Sequence, residues 1–287
     1  MKPNKKVLLI GGTSGIGKAL LERMLEDNKV EQIFATYHRR RPIVNHPNNE
    51  DPDVKEPGTK ATATKNTDTK TKVVWLAMDV TSEPSIKQTI EQISEHVDHI
   101  DWVINAVGLL HNGSHQPEKA VRQLDPDFFI DNMKVNALPS LLIAKYIKPL
   151  LQARLKAGKP NEIEPAIYAT ISARVGSISD NKLGGWYSYR MSKAALNMGM
   201  KTLAIEWQRS LKNVCVAVMQ PGTVDTPLSK PFQANVAKDK LFKPEQCADN
   251  LLIVLSQLTA EDTGCFVDWA GKPICLLYTS PSPRDRG

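Results

Sequence analysis

The sequence has little of what would place it among disulfide-stabilised or metal-binding proteins. Its 287 residues include four cysteines, and none of them shows the spacing of a disulfide framework. The six histidines are not spaced as metal ligands either, so we expect no metal site. We expect reduced thiols and a cytoplasmic protein. The cysteines are Cys215, Cys247, Cys265 and Cys275.

Long hydrophobic runs are also missing from the start of the chain. The basic residues 1–6 are followed by only four apolar residues, 7–10, before a glycine. A signal sequence needs an apolar segment of at least seven residues, and a membrane helix needs about 20. We therefore expect neither a signal sequence nor a membrane span.

The net charge of +6 is concentrated in one polar segment. Residues 39–72 hold eight lysines and arginines against five acidic residues, and no aromatic side chains are interspersed among them. Nucleic-acid binding is therefore not expected. Residues 42–72 consist mainly of proline, asparagine, threonine and charged residues, so we predict a mobile surface insert there.

The remaining chain has the size of one globular domain. Residues 275–287 show no periodicity, and we interpret them as a non-globular tail left by cloning, fusion or sequencing. Without the insert and the tail about 240 residues remain, which suits a single domain over residues 1–274.

A glycine-rich loop follows the first apolar run. The order of strand, glycine loop and amphipathic helix is typical of a dinucleotide-binding unit. Gly11 permits the tight turn, Gly15 lets the backbone approach a pyrophosphate, and Gly17 allows close packing of helix on strand. Free N–H groups at the helix start then face the anion. The predicted cofactor contacts here are Gly11, Thr13, Ser14, Gly15, Ile16 and Gly17.

The same loop also matches part of a nucleoside-triphosphate P-loop. Gly12, Gly17 and Lys18 have the P-loop spacing, and Asp79 ends an apolar run as a Walker-B aspartate does. Ala19, however, stands where a serine or threonine holds magnesium. We rank this interpretation well below the dinucleotide one.

The end of the second predicted strand bears on the choice of cofactor. An acidic residue about 20 positions past the last glycine would bind the ribose 2′-hydroxyl of NAD. The chain has Tyr37 there, followed by His38 and residues 39–41, all arginine. Arginines bind a 2′-phosphate, so the sequence favours NADP over NAD, with His38 and Arg39 as contacts and Lys18 as a second phosphate contact.

Further strands alternate with helices, which predicts an α/β fold with a doubly wound parallel sheet in three layers. Polar or glycine-containing turns follow the third, fourth and sixth strands, where a cofactor would lie. A long helix over about residues 127–155 carries Asn136, and residues 227–242 have the composition of a lid over the substrate. The predicted contacts in these turns are Asp79, Val80, Asn105, Ala106, Gly108, Pro221 and Gly222.

Tyr189 and Lys193 are the candidate catalytic pair. They lie four residues apart in a predicted helix and so share one face. A tyrosine has a pKa of about 10, and an ammonium about 4 Å away would lower it by up to two or three units. That shift would make Tyr189 a useful general acid or base.

With these landmarks in order, the chain resembles the short-chain dehydrogenase/reductase family, and within it the C-factor cell-signalling proteins. The resemblance is carried by the glycine loop, by residues 172–178 and 184–190, and by Tyr189 with Lys193. It implies that Tyr189 donates a proton to a substrate carbonyl as hydride arrives from the nicotinamide. It also implies that Lys193 lowers the tyrosine pKa and holds the nicotinamide ribose, and that Asn136 positions a water. Thr223, Val224 and Thr226 would bind the carboxamide, and two long helices would form a homodimer or homotetramer.

The chain departs from the family pattern at one position. The serine that orients the carbonyl is usually the second of a pair, and Ala173 occupies that place. Ser172 or Ser177 substitutes for it only if its hydroxyl turns inward; otherwise the rate falls about a hundredfold or more. Two functions follow: an NADP-dependent oxidoreductase acting on a small carbonyl or alcohol, and, as the alternative, an NAD(P)-binding signalling or regulatory protein with weak or no turnover.

Overall fold

The computed structural model describes residues 5–39, 41–42, 72–156, 164–234 and 236–277. Residues 43–71 of the predicted insert and residues 278–287 of the predicted tail lie outside this part of the chain. Cys275 and Leu276 lie inside it: the Cys275 carbonyl accepts a hydrogen bond from Ser177 Oγ, and the Leu276 carbonyl accepts one from Ile178 N.

Seven parallel strands form the central sheet, in the order β3-β2-β1-β4-β5-β6-β9. The order reverses direction between β1 and β4, and such a switch point is where ligands of open α/β sheets bind. Two further strands, β7 and β8, form a separate parallel pair that the sequence did not predict. The strands are β1 (Lys5–Ile10), β2 (Val30–Tyr37), β3 (Val73–Ala77), β4 (Trp102–Asn105), β5 (Ala166–Ile171), β6 (Val214–Gln220), β7 (Thr223–Val224), β8 (Leu241–Phe242) and β9 (Cys265–Asp268).

Helices cover both faces of the sheet, because the central strands carry apolar side chains on both sides. In β1, Leu8 packs on one face with residues of α2, α4 and α5, while Leu9 packs on the other with residues of α1 and α6. The predicted three-layer, doubly wound fold is confirmed. The helices are α1 (Gly15–Glu26), α2 (Glu83–His96), α3 (Pro126–Asn132), α4 (Leu138–Lys156), α5 (Tyr187–Ser210) and α6 (Pro244–Gln257).

The long helix predicted over residues 127–155 is present, but it is not a uniform α-helix. A π-helical segment, Met133–Ala137, joins α3 to α4. Such wide turns often mark functional sites, and this one carries Asn136. The sequence pattern could not show it, because a π turn shifts the apolar period by less than one residue.

Among the described residues, no helix is long and apolar enough to cross a membrane. In the same part of the chain, no group of three or more histidine, cysteine, aspartate or glutamate side chains could hold a metal ion.

Candidate active site

A cavity of about 1290 Å³ lies at the carboxyl ends of the strands. A pocket for one drug-sized ligand measures about 300–1,000 Å³, so this cavity has room for more than one. Most of the predicted site residues line it, and Gly17, Arg39, Asn105 and Asn136 do not. The predicted residues that line it are Gly11, Thr13, Ser14, Gly15, Ile16, His38, Asp79, Val80, Ala106, Gly108, Ser172, Tyr189, Lys193, Pro221, Gly222, Thr223, Val224 and Thr226.

At one end of the cavity the glycine loop leads into α1. Ser14, the residue before the helix, makes no side-chain cap, and the first turn holds no acidic residue. The amides at the start of α1 are therefore open to an anion, as a pyrophosphate requires. Gly17 contributes differently: a Cβ there would lie 2.0 Å from the carbonyl oxygen of Gly11, so its role is close packing of the loop on the helix. The loop fits a dinucleotide.

Of the features that would serve a P-loop, Asp79 lines the cavity, while Lys18 and Ala19 do not. Lys18 does not line it, and its ammonium lies 3.8 Å from Glu22 Oε1 on the outer surface of α1. Ala19 is buried and brings no hydroxyl. Lys18 was also expected from the sequence to be a second phosphate contact, and the structure places it outside the cavity lining.

The ends of β2 and β3 form the second part of the cavity. His38 Nε2 lies 3.8 Å from Asp79 Oδ2. Thr81 donates two hydrogen bonds to Asp79 Oδ1, from its hydroxyl at 2.7 Å and its backbone N–H at 2.9 Å, and these hold the pKa of Asp79 below its usual value. Arg39, the next residue after His38, is exposed to solvent.

Tyr189 and Lys193 lie together in the first turns of α5, both lining the cavity. Tyr189 is 8% exposed and Lys193 is 3% exposed. The ammonium of Lys193 lies 5.7 Å from the centre of the Tyr189 ring and donates a hydrogen bond to the carbonyl of Ile171 at 3.0 Å. The structure thus brings Tyr189 and Lys193 to one cavity, as their i,i+4 spacing indicates.

The expected lowering of the Tyr189 pKa was wrong. Burial disfavours charge on both groups: it raises the pKa of Tyr189 above its usual value and lowers the pKa of Lys193 to about 8. The ammonium is bonded to the Ile171 carbonyl and not to the phenol oxygen. Tyr189 therefore keeps its proton at neutral pH.

Asn136 and Asn105 lie behind the cavity wall and not on it. The Asn136 side chain accepts a hydrogen bond from Leu109 N at 2.7 Å and donates to Leu109 O at 2.8 Å and to Ser192 Oγ at 3.0 Å. Asn105 donates to Ser140 Oγ at 3.0 Å and accepts from Val107 N at 3.1 Å. Both amides fix the loop after β4, which carries Ala106 and Gly108 to the cavity.

The strand end at β5 lacks a free hydroxyl. Ser172 is buried and donates its proton to Asn197 Oδ1 at 2.7 Å. Ser177 is also buried and donates to the carbonyl of Cys275 at 2.6 Å. Ala173 lines the cavity with a methyl group. Neither serine directs its proton to the place where the family pattern has one.

An aromatic wall, formed by Trp186, Phe232 and His111, closes the cavity beside Tyr189. The Trp186 ring lies edge-on to Tyr189 at 6.2 Å and to Phe232 at 5.0 Å between centres, and His111 lies 5.7 Å from Phe232. Sequence reasoning missed this wall because its members come from three distant segments. The polar composition of residues 227–242 suggested a lid but not the apolar contact that Phe232 makes.

The fold and the cavity define a Rossmann-type α/β protein with a large cleft at the carboxyl edge of its sheet. More narrowly, the chain belongs to the short-chain dehydrogenase family, whose family model matches residues 5–237.

The chain is similar to several characterised proteins. It is 32% identical over 189 residues to 1-hydroxy-2-glutathionyl-2-methyl-3-butene dehydrogenase of Rhodococcus sp. strain AD45, covering 66% of this chain and 74% of that protein. It is 31% identical over 106 residues to the C-signal of Myxococcus xanthus, covering 37% of this chain and 58% of that protein. Its fold matches NADPH-bound carbonyl reductase from chicken fatty liver, with a TM-score of 0.74 and 21% identity, covering 96% of this chain and 95% of that one.

Proposed function

We propose that this short-chain dehydrogenase is an NADP-dependent oxidoreductase that reduces the carbonyl group of a small substrate, with Tyr189 as the proton donor. The observation that carries the proposal is the position of Tyr189. Its buried, protonated phenol lines the same cavity as the glycine loop and lies beside the aromatic wall.

Different residues along the cavity would bind the cofactor and protonate the substrate. The open amides at the start of α1 would hold the pyrophosphate, and Lys193 would hold a ribose hydroxyl near Gly108. When bound, NADPH would supply the hydride for the carbonyl carbon. Tyr189 would give its proton to the carbonyl oxygen, so that the product is an alcohol. The phenolate left on Tyr189 would then take up a proton from solvent before the next turnover.

The pKa of Tyr189 decides which reaction direction finds this residue in the required protonation state at neutral pH. Reduction consumes a proton, and burial keeps the Tyr189 proton in place. Oxidation of an alcohol would need the phenolate as base, which burial disfavours. We therefore infer that near pH 7 Tyr189 is in the protonation state that carbonyl reduction requires.

NADP is the proposed cofactor, ahead of NAD. His38 lines the cavity at the end of β2, Arg39 follows it, and no carboxylate occupies the strand end. The chicken carbonyl reductase that shares the fold is NADPH-bound. Asp79 lies 3.8 Å from His38, and its carboxylate offsets part of the local positive charge.

The test is a panel of NADPH and NADH, followed by a screen of carbonyl substrates. We expect NADPH to bind more tightly than NADH and to be oxidised with at least one carbonyl compound. Tyr189→Phe should remove turnover while NADPH binding persists, because the phenyl ring keeps the packing and lacks only the proton. Tight binding of NADH alone, or full turnover by Tyr189→Phe, would contradict the proposal.

The alternative function, a cofactor-binding signalling or regulatory protein with weak turnover, is favoured by one observation. Ala173 has no hydroxyl group. The hydroxyls of Ser172 and Ser177 donate to Asn197 Oδ1 and to the Cys275 carbonyl, respectively. The similarity to the C-signal of Myxococcus xanthus agrees with it. A biological effect that survives Tyr189→Phe would support the binder, and its loss together with NADPH oxidation would support the enzyme.

We also propose self-association through α4 and α5. On α5, Met191, Met198 and Ile205 are exposed at seven-residue spacing and so share one face. Leu138 and Leu141 are exposed on α4, and a Cβ added to Gly199 of α5 would lie 3.2 Å from Leu141. The two helices thus present one contiguous apolar face, which is characteristic of an interface.

A further inference from the structure

The three residues before α5 have an unusual backbone. Gly184, Gly185 and Trp186 have φ values of +64°, +65° and +55°. Trp186 is the only non-glycine residue with positive φ among the described residues, and that conformation costs about 1–2 kcal/mol. In this backbone conformation the Trp186 ring lies in the cavity, edge-on to Tyr189. Contacts with neighbouring residues must therefore offset the backbone strain at Trp186.

Two residues, Arg190 and Glu118, hold this turn from opposite sides. Arg190 donates to the carbonyl of Gly185 at 3.0 Å and to that of Gly184 at 3.2 Å. Glu118 holds the other side: its backbone carbonyl accepts from Trp186 N, and its carboxylate accepts from Ser188 N at 3.2 Å and from Ser188 Oγ.

Glu118 replaces the missing cap of α5. The indole side chain of Trp186, the residue before the helix, cannot accept a hydrogen bond from the first-turn amides. The Glu118 carboxylate, 70 residues earlier in the chain and only 3% exposed, takes that position. A carboxylate is favourable there, because the N-terminus of a helix carries partial positive charge. The bonded residue, Ser188, directly precedes Tyr189.

We propose that Glu118 is a positioning residue of the active site. It fixes the first turn of α5 and the strained Trp186 together, and so sets the aromatic wall against the hydroxyl of Tyr189. Glu118 does not line the cavity itself. The residues it contacts, Trp186 and Ser188, lie beside Tyr189 and not at the glycine loop, so we expect it to act on the substrate side of the site. The turnover part of this inference rests on the proposed reductase function.

Three substitutions separate positioning from general stability. Glu118→Ala removes the two carboxylate acceptors and leaves the buried Ser188 N–H without this partner, while the backbone carbonyl that accepts from Trp186 N remains. Glu118→Gln keeps one acceptor for Ser188 N, and its amide donates to Ser188 Oγ, which then accepts. Glu83→Ala is the matched control, because Glu83 also accepts from two side chains, Lys145 and Tyr146, but lies on α2 away from the cavity.

The experiment measures NADPH affinity, near-ultraviolet circular dichroism and, with a substrate found in the screen, kcat and KM. We expect Glu118→Ala to keep the NADPH Kd within about twofold and to lose about tenfold or more in kcat/KM. Its dichroism should change, and most of that change should vanish in a Trp186→Phe background. Glu118→Gln should recover to within about threefold, and Glu83→Ala should match the wild type.

Other results overturn the inference. It fails if Glu118→Ala leaves the dichroism and kcat/KM unchanged, or if the dichroism change persists undiminished in the Trp186→Phe background. If Glu118→Ala does not fold, Ser188→Ala decides by the same readouts, since it removes one of the same bonds. If the wild type binds NADPH but reduces no carbonyl, the proposed function fails, while the dichroism comparison still tests Glu118.

Discussion

Ala173 contributes only a methyl group to the cavity wall at the end of β5, where the family pattern has a hydroxyl. Hydrogen bonds to a developing oxyanion are worth about a hundredfold or more in rate. We therefore predict that Ala173→Ser raises kcat about tenfold or more, with NADPH affinity unchanged. Steady-state kinetics with a carbonyl substrate checks it.

The matched control for this change is Ser177→Ala. The Ser177 hydroxyl is bonded to the Cys275 carbonyl, so kcat should stay within about twofold of the wild type. An unchanged rate for Ala173→Ser, or a large loss for Ser177→Ala, would show that the carbonyl is oriented by the native serines.

The lowered pKa of Lys193 predicts how stability depends on pH. Its pKa is about 8 in the folded protein against a usual value of 10.5. Between those values the unfolded chain binds a proton that the folded protein does not, so stability rises with pH across that window. Lys193→Met removes this dependence.

The measurement is the unfolding free energy of both proteins at pH 8, 9 and 10. The window stops at pH 10 because the raised pKa of Tyr189 works in the opposite direction above its usual value of 10.0. The advantage of wild type over Lys193→Met should grow by up to about 1 kcal/mol per pH unit. A flat or shrinking difference would mean that Lys193 is charged throughout.

At the residue scale, the sequence predicts that these side chains share one site but not how their surroundings shift their pKa values. Tyr189 and Lys193 could be assigned to one face because i,i+4 spacing is a local property of a helix. The direction of the Tyr189 pKa shift could not be predicted, because it depends on burial by distant segments and on the bond from Lys193 to Ile171. The orientation of Ser172 depends in the same way on Asn197, a contact across 25 residues.

At the scale of elements, the glycine loop gives the sharpest prediction. A Cβ on Gly17 would lie 2.0 Å from the backbone oxygen of Gly11, which cannot move without displacing the end of β1. Overpacking usually costs about 1–3 kcal/mol, and a backbone clash costs more. Gly17→Ala should lose at least about 3 kcal/mol of unfolding free energy in urea.

Gly113→Ala serves as the comparison. A Cβ there would meet no atom within 4 Å, so its stability should stay within about 0.5 kcal/mol of the wild type. Equal stability of the two variants would mean that the turn after β1 is not packed on α1 as described.

The elements that sequence predicted well are those with local signals. Strand β1, the glycine loop and α1 follow one another, and each pattern is complete within a few residues. The pairing of β7 with β8 and the contact of Phe232 with Trp186 join segments that are distant in the chain. The sequences of these segments show no periodicity from which such long-range contacts could be predicted.

At the scale of the whole molecule, the apolar face of α4 and α5 predicts an oligomer. Met198 is 67% exposed at the centre of the α5 stripe. Met198→Glu would bury a charge in the interface, so we expect a dimer or tetramer to dissociate to monomers in analytical ultracentrifugation. Ile253→Glu, at an exposed position on α6 in the other helical layer, should leave the wild-type state intact.

The prediction of self-association is wrong if the wild type sediments as a monomer at micromolar concentration. It is also wrong if Met198→Glu sediments as the wild type does. The doubly wound fold was accessible from sequence, because a regular alternation of strands and helices has few right-handed arrangements. Most of the predicted insert and most of the predicted tail lie outside the described residues, and both remain predictions.

The central claim is that hydride passes from NADPH to a carbonyl carbon while Tyr189 protonates the oxygen. The most direct measurement uses NADPH deuterated at the transferred position of its nicotinamide, with a carbonyl substrate, and follows deuterium in the product. We predict one deuterium on the alcohol carbon for each NADPH consumed by the wild type, and none formed by Tyr189→Phe. An alcohol product without deuterium, or equal incorporation by Tyr189→Phe, would contradict the account.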